Sequence, residues 1–219
     1  KLNLLTMLGA LPLAAGSGYA ILSSSILVLI PLSVLGGMIW GPFLAGLYDG
    51  MLRGLRDAPG SWWTSWRKSW RQNTLESLLP GAILGLLTGM YAFMAALFWW
   101  SASPQTPGTL ALYFFSGALF LLLNTLYWPQ LVLFRQTALN RMRNIILFTA
   151  KYFWRVAGVT LLQVIYLLIY VLLAPWTLLL VPLLGLWYIV FLSQFLIYTQ
   201  MDQELGIEEK FRSRSLTCS

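Results

Sequence analysis

Six long apolar stretches constrain the fold of this chain more than any other feature. They cover approximately residues 2–20, 26–48, 78–100, 110–134, 156–173 and 178–198. Each is long enough to cross the ~30 Å hydrocarbon core of a bilayer as an α-helix. Because 58% of the residues are apolar and only 10% are charged, water could not solvate such a surface. The sequence predicts an all-α, polytopic membrane bundle of six transmembrane helices in residues 1–200, with a C-terminal cytoplasmic tail in residues 201–219.

The charged residues predict how these helices are oriented. The connections at residues 16–25, 101–109 and 174–177 carry no charge, whereas every Lys and Arg falls in the other connections or near the chain ends. By the positive-inside rule, the basic side faces the cytoplasm. Six crossings then place both termini of this multi-pass protein in the cytoplasm. Pro12 and the second stretch that follows favour a spanning hairpin at the start, and a signal peptide cleaved near Ala20 is the alternative.

The composition removes most catalytic chemistry. The chain has no histidine and one cysteine, Cys218, so imidazole catalysis, thiol chemistry and most metal sites lose their usual residues. No charged residue lies near the middle of an apolar stretch, which leaves no paired carboxylates or proton relay there. We expect no enzymatic activity and no cofactor. The net charge of +7 lies beside apolar helices, which favours anionic lipid over nucleic acid as the partner.

Glycines recur every four residues in parts of the second and third stretches. This spacing lets the backbones of two membrane helices approach closely. The residues that we assign to helix packing are Gly46, Gly50, Gly81, Gly85 and Gly89, together with Gly37 and Gly41. Contact within one chain is the favoured interpretation, and a seam between two copies is the alternative.

The segment SWWTSWRKSWRQN, residues 61–73, is the most distinctive polar segment. Its indole rings recur every four residues, and its cations fall mostly on other helix faces: Trp62, Trp66 and Trp70, and Arg67, Lys68 and Arg71. Indole rings settle at headgroup level, and cations bind anionic lipid. We expect an amphipathic elbow lying in the inner interface and contacting lipid headgroups. Docking of a protein partner is the alternative.

A second aromatic and basic elbow, RMRNIILFTAKYFWR, occupies residues 141–155. Its predicted lipid or partner contacts are Lys151, Trp154 and Arg155, which match Lys68, Trp70 and Arg71 of the first elbow. Both elbows follow a stretch that contains a proline, Pro42 or Pro129. The correspondence indicates a weak internal duplication in parallel orientation.

Neutral amides are the most prominent polar side chains inside the predicted spans. Asn124, Gln163 and Gln194 each lie within an apolar stretch. Such amides commonly form hydrogen bonds between neighbouring helices, which is the structural interpretation. In the functional interpretation they line a cavity for a sugar-like or lipid-like ligand, because amides and aromatic faces suit hydroxylated rings.

Two acidic residues lie at the cytoplasmic edge of the apolar stretches. Asp49 precedes Arg53 by four residues, and Glu76 follows Arg71 by five. We expect each carboxylate to form an ion pair with that arginine. Structural pairing is favoured over a functional role for both.

Three segments, GPFLAGLYDGMLRGLRD, SWRKSWRQN and RMRNIILFTAKYFWR, follow one another along the chain. Their order resembles the YesL-like family of bacterial membrane proteins, which is widespread in Firmicutes and has no established biochemical activity. The chain departs from the family pattern in the Ser- and Gly-rich GSGYAILSSS between the first two spans. Family members are often encoded beside genes for carbohydrate uptake and polysaccharide degradation, so the resemblance implies an accessory role in sugar import.

The sequence thus predicts an accessory or scaffold protein whose basic elbows contact lipid and a membrane transport complex. The alternative is a small permease, or a lipid or solute carrier, with an intramembrane cavity lined by Asn124, Gln163 and Gln194. A cavity open to one leaflet would favour the carrier. A sheltered cluster of titratable groups would favour an enzyme.

Overall fold

The fold consists of α-helices joined by short connections. The computed structural model describes residues 1–56, 60–100, 105–134, 136–173 and 176–207, except for the side chains of residues 99, 177–184 and 186. Its helices are α1 (Leu2–Leu22), α2 (Ile26–Leu55), α3 (Trp62–Trp100), α4 (Pro107–Leu133), α5 (Ala138–Lys151), α6 (Phe153–Leu172) and α7 (Trp176–Leu205). The all-α prediction is confirmed, since the described residues contain no β-strand.

Five of the described helices, α1, α2, α3, α4 and α6, are long and apolar enough to cross a membrane. They correspond to the first five predicted spans. Leu22 and Leu27 are 81% and 80% exposed, and hydrocarbon is the medium that accommodates such a surface. The prediction of a helical membrane bundle is therefore confirmed. The sixth predicted span falls within α7, and the predicted tail from residue 208 onward lies outside the described residues.

Small residues join α2 closely to α3. A Cβ added to Gly37 of α2 would lie 2.3 Å from the carbonyl oxygen of Gly81 and 2.7 Å from the Cα of Gly85 in α3. One turn further along α3, a Cβ on Gly89 would meet the hydroxyl of Ser33. Such backbone contact requires residues without a side chain. These glycines therefore lie at a packing interface within one chain.

The two glycines assigned to the end of α2 contact different helices. A Cβ on Gly50 would lie 2.8 Å from the Cδ1 of Leu2 in α1, and one on Gly46 would lie 2.4 Å from the Nε1 of Trp66 in α3. α2 therefore lies between α1 and α3 and presents glycines to both.

Aromatic and aliphatic side chains pack α4, α6 and α7 onto this layer. Trp40 and Trp128 are 8% and 2% exposed, so both pack between helices. The rings of Tyr48 and Trp128 stack with their centroids 6.3 Å apart and join α2 to α4. Another buried cluster joins α6 to α7 through Val159 and Ile197.

Helix α7 changes direction at Gly185. This residue leaves the helical conformation, with φ −7° and ψ −130°, so the regular backbone bonding of the helix is interrupted there. Its carbonyl oxygen accepts a hydrogen bond from the hydroxyl of Tyr166 in α6 at 3.0 Å. The bond ties α6 to α7 at the bend.

Candidate functional site

Charged side chains collect at one end of the bundle, which we call the basic end. It contains the start of α1, the end of α2, the starts of α3 and α6, α5, and the end of α7. Lys1 lies over the ring of Trp62, 5.6 Å from its centroid. The Nε of Arg53 donates to the Oδ2 of Asp49 at 2.9 Å, which confirms the predicted pair. Cations, ion pairs and indole rings together are typical of a membrane interface.

The tryptophan-rich segment is continuous with the third transmembrane helix. It forms the first turns of α3, which runs unbroken through 39 residues, rather than a separate elbow. Trp66 is 6% exposed, and its ring lies 5.7 Å from that of Phe43. Trp70 is half-buried beside the same ring, 6.3 Å away. The prediction of headgroup contact is therefore wrong for Trp66, because Gly46 leaves space for the indole on α2.

The cations of this segment lie on the outward face of α3. Arg67, Lys68 and Arg71 are exposed. One and two turns after Arg71, Leu75 and Leu79 are 83% and 68% exposed. Cations followed by exposed leucines are typical of a helix that passes from headgroups into hydrocarbon. Lipid or a protein partner can reach all three cations. Trp62, at the start of the helix, is 42% exposed.

A buried arginine joins α5 to α3. Arg141 is 3% exposed, and its Nη2 donates to the Oε2 of Glu76 at 2.5 Å. The guanidinium also lies 5.8 Å from the ring centroid of Tyr127 in α4. The predicted pair between Glu76 and Arg71 is wrong, since residues five apart on a helix point to different faces. Arg141 replaces Arg71 and holds α5 against the bundle.

The second elbow consists of α5, a bend at Tyr152 and the start of α6. The Nζ of Lys151 and the hydroxyl of Tyr152 both donate to the Oε1 of Glu204 in α7, at 2.5 and 2.8 Å. These hydrogen bonds raise the pKa of Lys151 and of Tyr152 and lower the pKa of Glu204. Lys151 was predicted to contact lipid or a partner protein. In the structure it forms an ion pair with Glu204 of the same chain.

The first residues of α6 face outward. Trp154 is 85% exposed, and Arg155 is exposed beside it. The two elbows therefore differ in structure: the first is part of α3, whereas the second is the separate 14-residue helix α5 followed by a bend. The sequence correspondence between them is not accompanied by the same helix organisation.

Gln163 of α6 lies at the centre of a buried polar cluster. Its Nε2 donates to the Oγ1 of Thr125 at 2.7 Å and to the Oγ of Ser193 at 2.8 Å. The Nε2 of Gln194 donates to the carbonyl oxygen of Thr125 at 2.9 Å. The structure thus brings together two of the three predicted amides and joins α4, α6 and α7 through them.

Asn124 does not belong to this cluster. Its Nδ2 donates to the carbonyl oxygen of Phe120 at 2.8 Å, and its Oδ1 accepts from the Nε1 of Trp128 at 3.1 Å. Successive residues of an α-helix are rotated by about 100°, so Thr125, and not Asn124, faces Gln163. The three amides predicted to line a cavity are therefore not assembled. Sequence analysis missed Thr125 because a threonine within a span gives no signal of its own.

The polar cluster has only neutral hydrogen-bonding groups. The Oε1 atoms of Gln163 and Gln194 accept no hydrogen bond within the described chain, although these residues are 7% and 1% exposed. Amides and hydroxyls can bind water or a hydroxylated group, but they do not ionise near neutral pH. Among the described residues, no three His, Cys, Asp or Glu side chains are grouped as metal ligands.

Comparisons with known proteins identify no relative: no family model, no curated protein and no solved structure matches the chain. The resemblance to the YesL-like family therefore stays a prediction.

Proposed function

We propose that this protein is a non-catalytic accessory or scaffold component of the bacterial inner membrane. The observation that carries the proposal is that the polar side chains inside the bundle form hydrogen bonds between its own helices. Gln163 donates to Thr125 of α4 and Ser193 of α7, and Gln194 donates to Thr125, so these groups stabilise the bundle. Cations such as Arg67, by contrast, face outward at the basic end, where lipid and protein partners can reach them.

The proposed orientation places the basic end in the cytoplasm, with anionic lipid around it. The support is the positive-inside rule applied to the basic end. In a Cys218→Ser background, Ser61→Cys at the start of α3 should resist a membrane-impermeant thiol reagent in intact cells. Gly108→Cys, near the start of α4 where a side chain meets open space, should react. The opposite labelling pattern would reverse the orientation.

The proposed partner is a membrane transport complex, and its link to carbohydrate uptake rests on the family resemblance. Native mass spectrometry of the gently extracted protein should show transport subunits at fixed stoichiometry. Replacing Arg67, Lys68 and Arg71 together by Gln should abolish this association, and Arg143→Gln, an exposed arginine on α5, should preserve it. A protein that is always alone, combined with normal sugar uptake after deletion of its gene, would refute the proposal.

A carrier for a small polar solute is the second candidate. The unpaired Oε1 atoms of Gln163 and Gln194 favour it, because buried acceptors can bind a hydroxylated ligand. Gln163→Met and Gln194→Met would then abolish solute binding while the protein remains folded. If both variants change only the stability of the bundle, the amides serve helix packing and the scaffold role is supported.

A further inference from the structure

A groove runs between α6 and α7 at the basic end. It is open to its surroundings and has a volume of about 470 Å³. Its lining consists of Trp154, Arg155, Gly158, Val159, Phe195, Leu196 and Thr199. Gly158 faces open space in the groove, since a Cβ added there would meet nothing within 4 Å.

The groove is polar at one end and apolar at the other. Arg155 and Thr199 lie about one turn from the Lys151–Glu204 ion pair, which marks the outer limit of these two helices. Phe195 lies one further turn into the bundle along α7. A ligand that fits this order of groups is an amphiphile, with an anionic group at the mouth and a hydrocarbon chain inside.

Charge complementarity identifies the anionic group. Arg53, Arg141 and Lys151 have acidic partners within the chain, whereas Arg155 forms no ion pair with an acidic side chain of the described residues. An arginine binds phosphate through two parallel N–H donors. Basic pockets between transmembrane helices are sites at which anionic lipid headgroups bind.

We propose that this groove binds one anionic phospholipid. The phosphate lies against the guanidinium of Arg155 and the hydroxyl of Thr199, and one acyl chain follows Gly158 between Phe195 and Leu196. The exposed indole of Trp154 lies at headgroup level, where indole rings are favoured. The site depends on the proposed function only in that the basic end must face an anionic leaflet.

The test is lipid retention by the purified full-length protein. After delipidation in a mild detergent, phosphatidylglycerol or phosphatidylcholine is added back, and bound lipids are counted by native mass spectrometry. Wild type should retain one phosphatidylglycerol in preference to phosphatidylcholine. Arg155→Gln should reduce this preference about fivefold, the effect of one arginine near an anionic surface. Arg155→Lys should restore only part of it, because lysine keeps the charge but lacks the two parallel donors, whereas Arg143→Gln should leave it unchanged.

A second variant tests the groove without changing the charge. Gly158→Leu fills the space and should abolish the single retained lipid, while Gly18→Leu, at a position of α1 that also has nothing within 4 Å, should not. Equal retention by wild type, Arg155→Gln and Gly158→Leu would overturn the proposal. Because the assay contains only the purified protein and lipid, the lipid site and the scaffold role can fail independently.

Discussion

The backbone contact between α2 and α3 gives the sharpest prediction of stability. A Cβ at Gly37 would lie 2.3 Å from the carbonyl oxygen of Gly81, whereas favourable contacts lie near 3.5 Å. Gly37→Ala must therefore separate α2 from α3 by about 1 Å, which forfeits between a quarter and a half of each dispersion contact across the interface. Over a few tens of contacts this amounts to about 1–2 kcal/mol, in the range known for overpacked cores.

A glycine-to-alanine substitution at an open position should raise the free energy of unfolding instead of lowering it. Alanine is preferred over glycine in a helix by roughly 0.5–1 kcal/mol. Gly37→Ala should therefore lower the free energy of unfolding by about 1 kcal/mol, whereas Gly18→Ala, which contacts nothing within 4 Å, should raise it by several tenths. The assay is equilibrium unfolding by SDS in mixed micelles, with helicity and tryptophan fluorescence as separate probes.

Two results would refute this reasoning. If Gly37→Ala stabilised the protein as much as Gly18→Ala does, the two backbones would not be in contact. If Gly37→Ala changed the mass of the particle in solution and left the unfolding of the monomer unaltered, the glycines would form a seam between copies. Gly81→Ala should repeat the effect, and the double variant should cost less than the sum, because the first alanine has already separated the helices.

Three further predictions concern the polar contacts. Glu76→Gln leaves the buried guanidinium of Arg141 without a charged partner and should lower the free energy of unfolding by about 1–3 kcal/mol. Arg141→Met should lower it less, because water then solvates the half-exposed carboxylate of Glu76. An SDS titration that gave the reverse order would contradict this prediction. Gln163→Met should lower the free energy of unfolding by about 1 kcal/mol in the same assay, because it removes two interhelical hydrogen bonds of about 0.6 kcal/mol each. An unchanged free energy of unfolding would show that these hydrogen bonds do not stabilise the packing. Because the pKa of Glu204 is lowered in the folded protein, its ion pair stabilises the fold at pH values above the ordinary carboxyl pKa of about 4.3. This stability is lost as the pH falls through the lowered pKa. Glu204→Gln should remove this acid dependence from thermal melts, and an unchanged dependence would assign it to another carboxylate.

The positions of the helices could be predicted because lipid leaves the backbone few choices. A charge-free stretch of about 20 apolar residues must satisfy its own peptide groups, and the α-helix does so. The same rule does not apply between Leu55 and Leu78, where charges and tryptophans are mixed. There the structure continues α3 back to Trp62, because no helix-breaking residue intervenes after Gly60. The sequence therefore predicted the helical character of this segment and missed its continuity with the span.

The partners of individual side chains could not be predicted, because they depend on residues that are distant in sequence. Trp66 is buried only because Gly46 lies opposite it, and the amphipathic pattern around Trp66 contains no information about α2. Glu76 finds Arg141, 65 residues away. In the polar cluster, the sequence predicted Asn124 where the structure has the next residue, Thr125. Which of the two faces Gln163 depends on the rotation of α4 about its axis.

The ion pairs show which cations are available for a partner. Asp49, Glu76 and Glu204 pair with Arg53, Arg141 and Lys151. The Asp49–Arg53 pair lies within α2, whereas the other two pairs join α5 to α3 and to α7 at the basic end. The exposed cations without an acidic partner among the described residues include Arg67, Lys68, Arg71 and Arg155. They fall on two surfaces, the outward face of α3 and the elbow between α5 and α6. Since exposed charges are screened within about 8–10 Å at physiological salt, binding at either surface should weaken with ionic strength, whereas the buried Arg141 pair should hardly respond.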